Sequence, residues 1–131
     1  MLLFLIRHAH ADAGKPDETR PLSERGRAEA RALGDSLARH GTPPVVVLTS
    51  PLLRARQTAD EIARATAAVL RVDDALSPGT TAETLLGAVG AEAGPVAAVC
   101  HQPDCSEIAR ALSGRGHGFP PGSVVELPLQ A

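Results

Sequence analysis

Four residues in the chain carry the side chains that phosphoryl transfer requires: Arg7, His8, Arg54 and His101. The guanidinium of arginine presents a planar fork of donors that fits phosphate oxygens, and the imidazole of histidine can attack phosphorus. Two of each, brought together, would form a site for a dianion of the phosphate type. Taken singly, each residue is more simply explained as a surface charge or a hydrogen-bonded histidine. The interpretation therefore depends on whether the fold brings the four side chains together.

Three apolar runs are predicted to be the buried strands that position these residues. They span residues 2–6, 45–48 and 95–100, and short continuous apolar runs are typical of central strands in a parallel sheet. The first run ends at Arg7 and His8, the second lies shortly before Arg54, and the third ends at His101. In sheets of this kind the ligand binds beyond the carboxyl ends of the strands. We therefore expect the four side chains to meet at one edge of the sheet.

Helical segments alternate with these strands. We predict helices from residue 24 to about 40, from about 52 to 66, over 81–89 and over 104–112. A short strand is expected over 68–72, and a last strand, at an edge of the sheet, over 123–129. Ser23 is expected to cap the first helix, and the pairs Thr80 with Glu83 and Asp104 with Glu107 have the spacing of capping boxes. This alternation predicts a single α/β domain over residues 1–131 with a mostly parallel sheet.

Composition excludes several other classes of function. The chain has 13 basic and 15 acidic residues, two Phe, and neither Trp nor Tyr, so it lacks the positive charge and the aromatic faces that nucleic-acid binding uses. Its two cysteines, Cys100 and Cys105, cannot form a disulfide framework, and its first apolar run is too short for a signal peptide or a membrane span. We expect a cytoplasmic protein with reduced thiols and with neither a nucleic-acid nor a membrane partner.

Four motifs follow one another along the chain. Residues 5–9 (LIRHA) contain an Arg-His pair, residues 20–26 read RPLSERG, residues 49–59 read TSPLLRARQTA, and residues 99–104 read VCHQPD. They are similar to the Arg-His-Gly signature, the Pro-Leu-Thr-Glu-x-Gly segment, the Ser-Pro-Leu-x-Arg-Ala-x-Gln-Thr pattern and the His-x-Pro element of one family. On these motifs, which cover nearly the whole chain, the sequence resembles the histidine phosphatase (phosphoglycerate mutase-like) superfamily, and most closely its SixA-type phosphohistidine phosphatases.

The resemblance implies a three-layer α/β/α fold and a role for each of the four residues. His8 would be the nucleophile that takes the phosphoryl group as a covalent phosphohistidine. Arg7, Arg54 and His101 would bind the phosphoryl oxygens and offset the charge of the transition state. Water would then hydrolyse the intermediate. The resemblance implies neither a metal nor an organic cofactor.

The sequence departs from the family pattern at two positions. Ala9 stands where the family has Gly after the catalytic histidine, and its side chain would crowd the phosphate if that backbone comes close. Cys100 replaces the Gly often found before the second histidine. Together with His101 and Cys105 it suggests a metal cluster, but the spacing matches no familiar zinc pattern and the third strand would bury Cys100.

Three further polar residues lie close to the motifs. His10 follows the nucleophile by two residues and is interpreted as a loop histidine rather than as part of the rim of the site. Arg20 and Arg25 flank the start of the first helix, and we expect both to be solvated surface residues.

A dedicated proton donor is not evident in the sequence. Family members that act on phosphate esters carry a Glu or Asp between the second arginine and the second histidine. The carboxylates in this interval are Asp60, Glu61, Asp73, Asp74, Glu83 and Glu92. Glu83 is the candidate donor, although its spacing from Thr80 favours helix capping. The segment Leu76-Ser77-Pro78 is similar to the SixA-type Leu-Thr-Pro, which has no carboxylate.

The lack of an evident acid bears on the substrate. An alkyl phosphate ester leaves as an alkoxide, and a general acid typically accelerates that departure about 10²–10⁴-fold. Phosphohistidine leaves as imidazole, whose conjugate acid has a pKa near 6.5, and needs less help. A short chain also leaves little room for a lid over the site. These points favour phosphohistidine on a carrier protein as the substrate. A phosphatase of small phosphate esters and a non-catalytic phosphate-binding module are the alternatives.

Overall fold

A five-stranded sheet, covered by helices on both faces, forms the centre of the molecule. The computed structural model describes residues 1–129. The strands are β1 (Leu2–Arg7), β2 (Val46–Thr49), β3 (Val69–Val72), β4 (Val96–Cys100) and β5 (Val124–Pro128). The helices are α1 (Glu24–Ala38), α2 (Leu53–Thr66), α3 (Ala82–Val89) and α4 (Asp104–Ser113), and there are two short 3-10 turns (Asp17–Thr19 and Asp74–Leu76). Every predicted strand and helix is present, with bounds within about two residues of those expected.

The order of the strands places the three predicted central strands side by side. The order is β3-β2-β4-β1-β5, and all neighbours are parallel except β5, which pairs antiparallel with β1 at an edge. Strand β4 therefore lies between β1 and β2. The register pairs Arg7 with Cys100 and Thr49 with Val99, so the three strands end at nearly the same level. The residues that follow them lie next to one another.

Alternating side chains of the central strands build two hydrophobic cores. Leu3 and Leu5 of β1 pack with residues of α3 and α4, while Phe4 and Ile6 pack with residues of α1 and α2. Each fully buried Leu, Ile or Phe contributes roughly 1.5–3 kcal/mol relative to an exposed one. Because both faces of β1 are buried, its apolar residues must form a continuous run. The expected three-layer α/β/α fold with a mostly parallel sheet is confirmed.

The N-termini of the helices agree with the sequence only in part. The hydroxyl of Ser23 accepts a hydrogen bond from Gly26 N (3.0 Å), as predicted for the cap of α1. The capping box between Thr80 and Glu83 is wrong, because the N-cap of α3 is Thr81, which accepts from Thr84 N (3.2 Å). Thr80 is instead buried, so its hydroxyl is directed into the protein while the exposed Thr81 can fold back on the helix.

The capping box predicted for α4 is also wrong. Helix α4 has no side-chain cap, and Asp104 is its first helical residue. The Asp104 carboxylate accepts a hydrogen bond from Gly79 N (2.8 Å). A contact from a distant loop therefore takes the place of the local contact with Glu107, and it holds the loop before α3 against the start of α4.

One glycine is required where α1 meets the loop after β1. A Cβ placed on Gly26 would lie 1.9 Å from the carbonyl oxygen of His10, which no side chain can do. The first turn of α1 therefore rests directly on the backbone two residues beyond His8. Within residues 1–129, no helix has the length and hydrophobicity that crossing a membrane demands.

Candidate active site

The structure brings Arg7, His8, Arg54 and His101 to one edge of the sheet. The ring centroids of His8 and His101 are 5.1 Å apart, with their planes inclined at 57°. His8, Arg54 and His101 are all buried. The strand ladder continues into the loops, because His8 N donates to Cys100 O (3.1 Å) and Ser50 N donates to Val99 O (3.1 Å). The backbone of the site is therefore fixed by the same hydrogen bonding that forms the sheet.

The imidazole of His8 is held as a neutral ring with one nitrogen free. Its Nδ1 lies 2.7 Å from the carbonyl oxygen of Ala9, an acceptor only, so Nδ1 carries the hydrogen and Nε2 carries the lone pair. Burial, together with the positive charges of Arg54, Arg7 and Arg20, lowers the pKa of His8 to about 4, against the opposing effect of the Ala9 bond. At neutral pH the lone pair on Nε2 is therefore available.

A buried threonine connects the loop that carries His8 to the helix that carries Arg54. The hydroxyl of Thr58 accepts from Ala9 N (3.0 Å) and donates to the carbonyl oxygen of Arg54 (2.9 Å). Thr58 is fully buried and one helical turn beyond Arg54. It thereby fixes the residue whose carbonyl orients the His8 ring.

The second histidine is oriented by a serine at the end of β2. Nε2 of His101 lies 2.7 Å from the hydroxyl oxygen of Ser50, which also accepts a weaker bond from Leu52 N (3.3 Å). Burial, together with the charges of His8 and Arg54, lowers the pKa of His101 to about 3, against the opposing effect of Asp17. If the Ser50 hydroxyl donates to Nε2, a neutral His101 carries its hydrogen on Nδ1.

The two arginines are each anchored by one carbonyl and retain further donors. A terminal nitrogen of Arg7 donates to Phe119 O (2.8 Å), and one of Arg54 donates to Asp17 O (2.9 Å). The Nε atoms of both arginines and Nδ1 of His101 are buried without a hydrogen-bond partner among residues 1–129. An unsatisfied buried donor costs about 1–3 kcal/mol, more if it is charged. Donors of this kind are what a phosphoryl group, with three acceptor oxygens, would satisfy.

Asp17 and Arg20 adjoin the site, although the sequence indicated no role for Asp17 and predicted Arg20 to be a solvated surface residue. The Asp17 carboxylate pairs with Arg54 NH2 through Oδ2 (3.2 Å) and with Arg20 Nε through Oδ1 (3.0 Å). Although partial desolvation opposes it, the charges and hydrogen bonds of Arg54 and then Arg20 lower the pKa of Asp17. The prediction that Arg20 is a solvated surface residue is wrong, since its side chain is only 26% exposed. The i, i+3 spacing could have indicated the pairing of Asp17 with Arg20, but not the contact of Asp17 with Arg54.

Other polar residues near the motifs have structural contacts. The Nδ1 atom of His10 lies 2.6 Å from the Ser23 hydroxyl, which agrees with a loop histidine. Arg25 pairs with Glu29 (3.1 Å) and its side chain is 64% exposed, as expected. Glu83 is exposed on the first turn of α3, and it is absent from the charges that shift the two histidine pKa values. No hydrogen bond or ion pair joins Glu83 to either histidine within the described residues 1–129.

The two departures from the family pattern are accommodated in the cores. Ala9 is fully buried in a small cluster with Leu22 and Ala30. Cys100 is fully buried in the core between the sheet and helices α3 and α4, beside Cys105. Both side chains are thus packed against apolar neighbours. Residues 1–129 contain no group of three or more His, Cys, Asp or Glu arranged to hold a metal ion.

Comparisons with known proteins find similarity to phosphatases. Residues 3–78 match the model of the histidine phosphatase superfamily (branch 1). A structure from Agrobacterium tumefaciens assigned as phosphohistidine phosphatase SixA superimposes with a TM-score of 0.85 at 29% identity, over 95% of this chain and 89% of that one. The protein histidine phosphatase SixA complexed with tungstate gives a TM-score of 0.89 at 24% identity, over 98% and 88%. A mycobacterial glucosyl-3-phosphoglycerate phosphatase gives 0.76 at 20% identity, over 95% and 88%.

A curated relative matches part of the chain. The mitochondrial serine/threonine-protein phosphatase Pgam5 of Drosophila persimilis is 43% identical over 61 residues. This segment is 46% of the present chain and 21% of the relative. The chain therefore matches about a fifth of that protein's length, and the likeness does not extend over the whole relative.

Proposed function

Because the chain belongs to the histidine phosphatase superfamily and is a phosphatase, we propose that it hydrolyses phosphohistidine on a protein by way of a covalent phosphohistidine on His8. The observation that carries the proposal is the state of the His8 ring. Its Nδ1 hydrogen is held by Ala9 O (2.7 Å) and its pKa is lowered to about 4, so Nε2 presents a lone pair at neutral pH. A nucleophile must be unprotonated to attack phosphorus.

In the first step, the lone pair of His8 Nε2 forms a bond to phosphorus as the bond from phosphorus to the substrate nitrogen breaks. The other nitrogen of the substrate ring takes a proton from solvent before this step, so the electron pair of the broken bond leaves with a neutral imidazole. Arg7 and Arg54 each hold a buried Nε donor, and His101 a buried Nδ1. These donors would bind the three equatorial oxygens, whose charge the site must stabilise.

In the second step, water attacks phosphorus and the bond to Nε2 of His8 breaks. The electron pair returns to Nε2, the proton lost by the water goes to the phosphate or to solvent, and inorganic phosphate leaves. The hydrogen on Nδ1 stays on the ring in both steps, since Ala9 O accepts it throughout. The same donors that stabilise the first transition state serve the second.

The carboxylates of the site support phosphohistidine over an alkyl ester. Among the acidic residues described, Asp17 alone contributes to the pKa shift of His101, none contributes to that of His8, and the pKa of Asp17 itself is lowered. Asp17 is therefore ionised at neutral pH and has no proton to give to a departing alkoxide. An imidazole leaving group does not require such a donor. The assignment of the A. tumefaciens structure as a phosphohistidine phosphatase also supports this choice.

A comparison of substrates tests the proposal. We expect a higher kcat/KM for a phosphohistidine carrier protein than for phosphoserine or simple alkyl phosphates. Glu83→Gln should leave phosphohistidine hydrolysis within a few-fold of wild type. Efficient turnover of alkyl esters that falls by about 10²-fold or more in Glu83→Gln would favour the small-ester phosphatase. The cytoplasmic location and the lack of a cofactor stay predictions.

The role of His8 is tested by labelling. Acid-labile radiolabel from the substrate should be found on His8, and His8→Ala should abolish phosphate release. His101→Ala should retain weak activity at most, because it removes a donor to the phosphoryl oxygens rather than the attacking atom. Label on His101, or turnover by His8→Ala, would contradict the assignment. Since the chain is a phosphatase, a purely phosphate-binding module is no longer an alternative.

A further inference from the structure

Asp17 occupies donors of Arg54 that a phosphoryl group would also use. Its carbonyl oxygen accepts from NH1 (2.9 Å) and its Oδ2 from NH2 (3.2 Å). A guanidinium has five N–H donors in all, and a phosphate bound in a bidentate manner takes two of them. Asp17 leaves the buried Nε and one hydrogen of each terminal nitrogen for such a phosphate. The carboxylate and a phosphoryl dianion would then share one guanidinium, so the two anions compete for its positive charge.

The surroundings of Asp17 make its displacement inexpensive. Its side chain is 59% exposed, whereas that of Arg54 is 7% exposed. When Oδ2 leaves Arg54, Oδ1 keeps its bond to Arg20 Nε (3.0 Å) and water can solvate the released oxygen. Arg54, by contrast, is only 7% exposed, and a buried charge without a partner is destabilising. The pair is therefore built to exchange one anion for another at Arg54.

We propose that Asp17 sets the affinity of the site for phosphate, because its carboxylate competes with the phosphoryl dianion for the guanidinium of Arg54. The proposal rests on the role of Arg54 in binding the phosphoryl group that is proposed above. Its consequence for turnover is at the end of the reaction. When inorganic phosphate leaves Arg54, the Asp17 carboxylate takes its place. This exchange would speed product release, which commonly limits kcat.

The chain offers a matched control for this test. Glu18 is exposed on the same 3-10 turn and pairs with no cation in the part of the chain that the structure describes. Asp17→Asn and Glu18→Gln thus remove the same charge from adjacent positions, and only the first removes the competitor. Inorganic phosphate is the probe, titrated by calorimetry and as a competitive inhibitor of the hydrolysis of a chromogenic aryl phosphate.

We expect Asp17→Asn to lower the Kd and Ki of phosphate about three- to tenfold, and Glu18→Gln to change them less than twofold. Weaker phosphate binding in Asp17→Asn would mean that Asp17 positions Arg54 rather than competes there. Equal effects of the two substitutions would mean a general charge effect. Either result overturns the proposal.

A double-mutant cycle separates this inference from the proposed function. In Arg54→Gln, phosphate binding should weaken at least tenfold, and adding Asp17→Asn should then change it by less than twofold. If Arg54→Gln leaves phosphate affinity unchanged, the proposed phosphate site is wrong, and the inference falls with it. If Arg54→Gln weakens binding and Asp17→Asn tightens it equally in both backgrounds, the site stands and competition at Arg54 is refuted.

Discussion

The two buried histidines should make the stability of the protein fall steeply in mild acid. The pKa values of His8 and His101 are lowered to about 4 and about 3, while an unfolded chain has the ordinary value near 6.5. Between pH 6.5 and 4 the unfolded chain therefore binds more protons than the folded one. The free energy of unfolding must decrease as the pH falls through this window. The contribution is fully present above pH 6.5 and lost towards pH 4.

The size of the effect follows from the same values. At pH 5 a histidine of ordinary pKa is protonated about 30 to 1, which stabilises the unfolded chain by about 2 kcal/mol per residue. The folded protein gains almost nothing, since both histidines are still largely neutral at that pH. From pH 7 to pH 5 the loss is therefore about 4 kcal/mol for the two together, a large part of a typical total stability of 5–15 kcal/mol.

The measurement compares wild type with His8→Gln and with the double variant His8→Gln/His101→Gln. Urea unfolding is followed by circular dichroism in phosphate-free buffer at pH 7, 6 and 5, because a chain without Trp or Tyr gives no useful fluorescence. Relative to wild type, the variants should lose about 2 and about 4 kcal/mol less between pH 7 and 5. Differences between variants cancel the contribution of the carboxylates. Parallel losses in all three proteins would refute the neutral, buried state of these rings.

Three further outcomes are expected. Thr58→Val should lower kcat about tenfold by leaving Ala9 N unpaired, whereas Thr66→Val, which removes the same type of i−4 bond outside the site, should keep kcat within twofold in steady-state kinetics. Ser50→Ala should lower kcat/KM about tenfold, and nitrogen NMR should show His101 losing its single tautomer, because Ser50 is its partner at Nε2. Ala67→Gly should stabilise the protein by about 1 kcal/mol and so raise its melting temperature. Ala67 has a φ of 60°, a conformation that glycine adopts without steric cost.

The positions of the four predicted site residues were accessible from sequence because they follow buried strands. A continuous apolar run such as that of β1 has few interpretations, and a parallel sheet places the ends of its strands at one edge. The register then brings the strand ends to nearly the same level, since Arg7 is paired with Cys100 and Thr49 with Val99. What the pattern could not give is the orientation of each ring, which depends on Ala9 O and the Ser50 hydroxyl.

The contacts that sequence reasoning missed are long-range polar ones. Asp17 meets Arg54 across 37 residues, and Asp104 meets Gly79 across 25. A carboxylate in a polar loop has no periodicity that could indicate its partner, so Asp17 received no role. Asp104 has a plausible local partner at capping-box spacing, and only the packing of the distant loop shows that Gly79 takes its carboxylate. The sequence predicts the cap of α3 at Thr80 instead of Thr81 for a simpler reason, since either of two adjacent threonines can cap a helix.

At this edge of the sheet, burial helps to raise the pKa of the Cys100 thiol and lowers the pKa of the His8 imidazole. Cys100 directly precedes His101, and a thiolate there would compete with imidazole for phosphorus. A hydrogen bond with Cys105 and then burial raise the pKa of Cys100 well above its ordinary value, so it remains an unreactive thiol in the core. The same loss of solvent lowers the pKa of His8 to about 4 and leaves its ring neutral. A thiol must lose its proton to become a nucleophile, and burial opposes that loss because it disfavours the thiolate. An imidazole is a nucleophile only while it is neutral, and burial favours that state because it disfavours the imidazolium. The dry environment beneath the strand ends thus favours His8 as the attacking group and keeps Cys100 an unreactive thiol.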